Sequence, residues 1–217
     1  MKEIILIGAG GYAKSVLDSL DLTQYKFKGY IDRLRPVGST HLGFPVLANN
    51  LLELKDFHQY SYFIAIGNND LRYENYTFLK KNHCNIINII DKTSIVSSSS
   101  YLGEGVFVGK MAIINAGVKV GNNVIVNTKS LLEHGVTIEN HCNISTNTTL
   151  NGDVYVGEKS FIGSSSVING QLEIGNNVVV GSGSVVIRDI NSYSVAVGIP
   201  AKVIKKLDSN CKGKNNG

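Results

Sequence analysis

From Ile90 onward an aliphatic residue returns at every sixth position: Ile90, Val96, Leu102, Val108, Ile114, Val120, Val126, Leu132, Ile138, Ile144, Leu150, Val156, Ile162, Ile168, Ile174, Val180 and Val186. A helix cannot hold this beat, because its apolar stripe follows 3.6 residues, and a β-meander does not keep a beat so strict. Four places after each aliphatic a small or β-branched residue recurs, among them Ala112, Val118, Val124, Ser130, Val136, Cys142, Thr148, Val154, Ser160 and Ser166. Both sets are expected to face inward. The residue directly after the aliphatic is commonly small or polar, as at Gly103, Gly109, Asn115, Gly121, Asn127, Gly157, Gly163, Gly175 and Gly181, and is read as a corner. Each hexad then supplies one short strand and one corner, three hexads close a triangular coil, and stacked coils bury a column of aliphatics. No insertion interrupts the beat, so a plain prism is predicted.

The first part of the chain has another pattern. An apolar run from Glu3 to Ile7 leads into Gly8-Ala9-Gly10-Gly11-Tyr12-Ala13 and then a helical stretch from Lys14 to Leu20. Strand, glycine turn and helix in that order leave backbone N–H groups at a helix N-terminus, where dipole and donors favour a phosphate. A second strand, Phe27 to Ile31, ends at Asp32, near the distance from the turn at which a ribose hydroxyl is read. A third, Tyr62 to Ile66, ends in Gly67-Asn68-Asn69-Asp70 before more helix. Such strand ends carry ligand loops, although a glycine turn also occurs with no ligand. Residues 1–85 hold only half of a dinucleotide fold, so one nucleotide, as in a nucleotide-sugar, suits them better than NAD. The expected architecture is an α/β half-Rossmann domain over 1–85, followed over 86–217 by an all-β parallel β-helix of hexapeptide repeats with a C-terminal tail.

Composition removes several function classes. Among 217 residues, 43% hydrophobic and 18% charged, no apolar run approaches the length needed to span a bilayer. The N-terminus lacks the basic stretch and cleavage site of a secretion signal, so a cytoplasmic protein without membrane attachment is expected. Cys84, Cys142 and Cys211 match neither a disulfide framework nor a zinc site and are read as reduced thiols, with Cys142 packing inward. The net charge of +4 comes from scattered residues apart from a basic tail from Lys202 to Lys214, read as a solvated surface. No nucleic-acid-binding motif accompanies it, and a modest positive field suits phosphate-bearing small ligands.

Two histidines fall inside the repeat. His134 takes the third place of the hexad that starts at Leu132, where side chains point outward, and His141 stands beside the inward Cys142. An outward imidazole near the middle of the coil stack can accept a proton near neutral pH, which makes His134 the candidate base. Ser97 to Ser100 read as a polar turn, since no base stands beside them.

Five segments together carry a family resemblance: Ile7-Gly-Ala-Gly-Gly-Tyr12, Phe63-Ile-Ala-Ile-Gly-Asn68, Asn127-Thr-Lys-Ser-Leu-Leu-Glu-His134, Asn151-Gly152-Asp153-Val154 and Val197-Gly-Ile-Pro-Ala-Lys202. Over nearly its whole length the chain resembles the sialic acid O-acetyltransferases and nucleotide-4-amino-sugar N-acetyltransferases, the NeuD/PglD-like hexapeptide-repeat acyltransferases. The resemblance implies a left-handed β-helix, an exception to the right-handed crossover rule. It also implies a homotrimer with active sites in the grooves between subunits, acetyl-CoA as co-substrate and no metal. Position by position, His134 matches the catalytic histidine. Gly8, Gly10, Gly11, Tyr12, Asp32, Gly67 and Asn68 match nucleotide-sugar contacts, and Asn143, Ser164 and Ser182 match the coenzyme A groove. Backbone N–H groups there would stabilise the oxyanion.

The implied reaction is acetylation of the 4-amino group of a dTDP- or UDP-linked 4-amino-4,6-dideoxy sugar for surface polysaccharide or glycan synthesis; the alternative is O-acetylation of a sialic acid. Three positions depart from the family. Members often carry an acid directly after the histidine, where this chain has Gly135, which leaves Glu133 or a neighbouring subunit to orient the ring. Many have histidine in place of Asn143, and some have paired acids in place of Asp32-Arg33. Other classes fit less well: a zinc hydrase on such a prism needs three histidines, and an NAD oxidoreductase needs a second half-fold. A non-catalytic nucleotide-sugar sensor is separated from an enzyme by replacing His134.

Overall fold

A computed structural model describes residues 1–208. Cys211 and the end of the basic tail, Lys212 and Lys214, lie outside the described residues. The chain opens with β1 (Lys2–Ile7), α1 (Gly11–Ser19), β2 (Tyr25–Ile31), β3 (Thr40–His41), β4 (Phe44–Ala48), β5 (Ser61–Ile64), α2 (Asn69–Lys81) and β6 (Asn85–Ile86). These strands form one sheet in the order β3-β4-β2-β1-β5-β6, parallel except where β3 folds back on β4. Ile4 to Ile7 are buried on both faces of the central strand, as a parallel sheet requires. Helix α1 starts earlier than the Lys14 read from sequence, because Gly10 takes the N-cap position and Gly11 already turns with the helix.

Seventeen two-residue strands follow, from β7 (Ile89–Ile90) to β23 (Val185–Val186), and each ends on one of the sixth-place aliphatics. Each strand from β7 to β20 pairs in parallel with the one a full coil further on, Val108 with Val126 and Leu132 with Leu150 for example. The result is the expected left-handed β-helix with three outer faces. The first face carries Ile89, Phe107, Ile125, Asn143, Phe161 and Val179; the second carries Ile95, Ile113, Leu131, Thr149, Val167 and Val185; the third carries Tyr101, Lys119, Thr137, Tyr155 and Glu173. β24 (Ser194–Gly198) extends the first face, and β25 (Ala201–Lys206) folds back antiparallel on it.

The column of aliphatics from Val108 to Val186 is almost completely shielded, each residue contributing about 1.5–3 kcal/mol of transfer free energy. Ile90 departs from it: no coil lies beneath, and it is 44% exposed. Buried polar residues at the second inward place survive where they donate to a carbonyl of the adjoining coil. Ser130 Oγ reaches Ser145 O at 2.9 Å, Thr148 Oγ1 reaches Gly163 O at 3.1 Å and Ser160 Oγ reaches Gly175 O at 2.7 Å. Cys142 packs inward as expected, its Sγ 3.0 Å from Gly157 O.

The corners are built differently from the sequence reading. The bend falls three residues after the aliphatic, where Gly105, Met111, Gly117, Asn123, Lys129, Gly135, His141, Asn147, Asp153, Lys159, Ser165, Gln171, Asn177 and Gly183 all adopt positive φ. The glycines directly after the aliphatic serve contact between coils instead. A side chain at Gly109 would begin 2.7 Å from Thr128 N, and one at Gly163 would begin 2.5 Å from Ser182 N.

Candidate active site

His134 stands at the corner between the second and third faces, followed by Gly135 in the left-handed region (φ +68°). One coil on, the corresponding pair is Gly152 and Asp153, and Asp153 N donates to His134 O at 2.9 Å. The imidazole lies against Gly152, where a Cβ would come within 2.4 Å of Cε1 and 2.6 Å of Nε2. Glycine is thus the seat of the ring. The side chain is 68% exposed, and its Nδ1 faces Asp153 Oδ2 at 4.0 Å. Glu133, expected as one possible partner for the ring, is turned away: its Oε2 accepts from Asn115 Nδ2 at 3.0 Å.

The glycine turn lies at the end of β1. Gly8 adopts φ +98° with no room for a side chain, because a Cβ there would sit 2.9 Å from Ala65 O. Gly10 and Gly11 are open, with nothing within 4 Å of such an atom, so a ligand can approach the helix N-terminus closely. Asp32 braces this turn: Oδ2 accepts from Ala9 N at 2.7 Å, and Oδ1 from Leu34 N and Arg35 N. Arg35 Nε donates to Ala9 O at 3.0 Å. Nearby His41 is held below the usual imidazole range by burial and then by the charges of Arg35 and Lys14, so cations gather around the turn. Tyr12 packs edge-on against Phe107 of the prism at 5.4 Å, and its buried hydroxyl is pushed up by desolvation.

The other expected contacts lie near the seam between sheet and prism. Asn68 caps α2, its Oδ1 accepting from Leu71 N at 3.0 Å. Gly67 O accepts from Arg72 Nη1 at 3.0 Å and from Asn143 Nδ2 at 3.3 Å. Asn143 is therefore buried on the first face against its own N-terminal domain, with Oδ1 unpartnered. Ser164 and Ser182 stack at the corner between the first and second faces, Ser164 O accepting from Gly183 N at 2.8 Å.

The seam turns on Arg72, which is 1% exposed. Its Nε donates to Asn123 O at 3.1 Å, and its Nη2 donates to Asn69 Oδ1, His141 O and Cys142 O at 2.8–3.0 Å. Burial lowers its pKa to about 10, still far above neutral. His141 is part of this knot. Its ring lies edge-on to Tyr73 and Tyr76, its Nδ1 is 2.9 Å from Asn123 Nδ2, and burial followed by the Arg72 and Lys159 charges brings its pKa down to about 4.

The N-terminal domain covers the first face, where Phe107, Ile125 and Ile89 join one core with Ile4, Phe63 and Ala13. His134 sits at the corner opposite that face. One chain therefore brings the glycine turn, Asp32, Gly67, Asn68 and Asn143 to one side of the prism, holds Ser164 and Ser182 at a second corner, and keeps His134 at a third. The sequence reading missed Arg72, and it quoted Asp153 within a family segment without giving it a role. Asp153 had a signal: coils of eighteen residues stack position 152 on 134 and 153 on 135. Arg72 had none, since its partners come together only when α2 docks.

Comparisons with known proteins match both parts of the chain, the N-terminal domain and the hexapeptide repeats. Residues 3–79 match the PglD N-terminal domain, residues 101–128 the hexapeptide repeat of succinyl-transferase, and residues 153–188 the bacterial transferase hexapeptide (six repeats). No match was found among curated proteins. A point mutant of perosamine N-acetyltransferase from Caulobacter crescentus, solved with CoA and GDP-perosamine, is 30% identical over 95% of this chain and 98% of its own, with a TM-score of 0.85. The acetyltransferase domain of PglB from Neisseria gonorrhoeae in complex with acetyl coenzyme A is 30% identical over 94% and 99%, with a TM-score of 0.86. The chain belongs to the NeuD/PglD-like hexapeptide-repeat acyltransferases. WeeI from Acinetobacter baumannii, 24% identical over 94% of this chain and 100% of its own with a TM-score of 0.83, shares the fold of this family member. Among the described residues no helix is long and apolar enough to cross a membrane.

Proposed function

We propose that this chain transfers the acetyl group of acetyl-CoA to the 4-amino group of a nucleotide-activated 4-amino-4,6-dideoxy sugar, with His134 as general base. The observation that carries this reading is the exposed imidazole seated on Gly152 at a prism edge, in a chain that overlaps almost end to end with CoA-binding sugar N-acetyltransferases. The amine nitrogen attacks the thioester carbonyl while its proton passes to the imidazole. Backbone N–H groups stabilise the oxyanion, and its collapse breaks the C–S bond and releases coenzyme A, which takes up the proton. The open glycine turn with Arg35 and Lys14 beside it supports a diphosphate at the N-terminus of α1. Gly10, Gly11, Gly67 and Asn68 are then the sugar-nucleotide loops, and Ser164 and Ser182 the coenzyme A edge.

The working unit is a trimer. His134 lies at the corner opposite the face that holds its own nucleotide domain, which supports a second protomer bringing sugar and base together. The second face supports this: Ile95, Ile113, Leu131, Val167 and Val185 form an outward aliphatic stripe interrupted only by Thr149. The third face, with Lys119 and Glu173, has no such stripe. Leu131→Lys is expected to give monomers in sedimentation and to abolish turnover.

Coenzyme A release, followed with dTDP-, UDP- and GDP-linked 4-amino-4,6-dideoxy sugars and with a sialic acid, tests the reaction. Turnover with a dTDP or UDP sugar is expected; GDP competes as carrier because the Caulobacter relative binds GDP-perosamine. Turnover with sialic acid alone would reject N-acetylation.

A further inference from the structure

We propose that Asp153, supplied by the coil after the one that carries His134, is the residue that positions the His134 imidazole. This rests on the reading of His134 as the base. Three features meet at one corner. The Asp153 carboxylate faces Nδ1, with Oδ2 at 4.0 Å, longer than a closed hydrogen bond; such bonds in unliganded sites often tighten when substrate binds. The two residues are already fixed by their backbones, Asp153 N donating to His134 O at 2.9 Å. Gly135 then makes room: a Cβ at that position would sit 2.0 Å from Asp153 Oδ1, so the carboxylate occupies the space in which a side chain on residue 135 would begin.

Glu133, the acid beside His134 in sequence, is committed elsewhere, to Asn115. A carboxylate on Nδ1 holds the neutral ring as the Nδ1–H tautomer and leaves the Nε2 lone pair free for the amine proton. Gly152 beneath the ring completes the seat, since any side chain there would displace the imidazole. Both side chains of the pair are more than half exposed, so the contact adds little to folding and its value lies in orientation.

The test uses Asp153→Asn, Asp153→Gly and the exchange Gly135→Asp/Asp153→Gly. All three keep residues that tolerate the left-handed backbone at 135 and 153. Imidazole 15N spectra of labelled protein, with His134 assigned by its loss in His134→Ala, are expected to show the Nδ1–H tautomer in the parent and its loss in both single variants. The expected kinetic effect is a fall in kcat of about 10-fold or more with KM for acetyl-CoA within 2-fold, at unchanged Tm. The exchange variant is expected to regain the tautomer and most of kcat, because its carboxylate returns to the same space from the other coil. An unchanged tautomer in Asp153→Asn and Asp153→Gly, or unchanged kcat in both, overturns the proposal. If no sugar is turned over by the parent, the acetyltransferase reading fails while the tautomer still decides the role of Asp153.

Discussion

His134 and His141 occupy neighbouring corners of one prism, seven residues apart, yet they share almost nothing else. The corner of His141 is covered by α2: two tyrosine rings close over the imidazole, Asn123 occupies Nδ1 and its own carbonyl receives Arg72. The corner of His134 is bare except for Gly152 beneath it and Asp153 beside it. The difference teaches that the hexad fixes only whether a residue stands at a corner. Which corner the N-terminal domain covers decides whether the imidazole becomes a buried strut or stays exposed.

The sharpest way to break this comparison is to remove each ring in turn. His134→Ala is expected to lower kcat by about 10²–10⁴-fold with little change in Tm. His141→Ala is expected to lower Tm and to leave the turnover of the folded enzyme within several-fold. Equal losses of kcat from both would erase the distinction.

Next in size is the knot itself. Arg72→Met strips donors from the carbonyls of Gly67, Asn123, His141 and Cys142 inside a closed seam, and a loss of about 3–5 kcal/mol in urea unfolding is expected. Faster hydrogen exchange in α2 than in the prism core would place the damage at the seam. A stability change below 1 kcal/mol would show that other contacts hold the domain.

The smallest effect is a pH signature. The folded pKa of His141, about 4, lies below that of the unfolded chain, about 6.5, so the unfolded state binds more protons between these values. The stability this neutral ring supports is complete above pH 6.5 and is lost as pH falls through that window to about 4, by at most about 3 kcal/mol. In His141→Gln the slope of stability against pH over this range is expected to flatten; an unchanged slope would mean that other groups carry it.

The sequence by itself determined the prism. A six-residue beat of aliphatics leaves only one way to bury Val108 to Val186, and the inward Ser130, Thr148 and Cys142 could be read from the same count. It also placed the glycine turn, three strand ends and an outward His134, because each of these depends on local backbone and on a periodicity that survives in one dimension. Only the tertiary structure decided that the bend falls on Gly135 and Asp153 rather than on the residues after the aliphatics. It alone showed that Asn143 faces Gly67 and that a buried Arg72 ties α2 to two coils. The physical reason is reach. A repeat fixes neighbours six and eighteen residues away, whereas Arg72 binds carbonyls fifty-one to seventy residues ahead, and that pairing exists only once two independently patterned pieces of chain have docked.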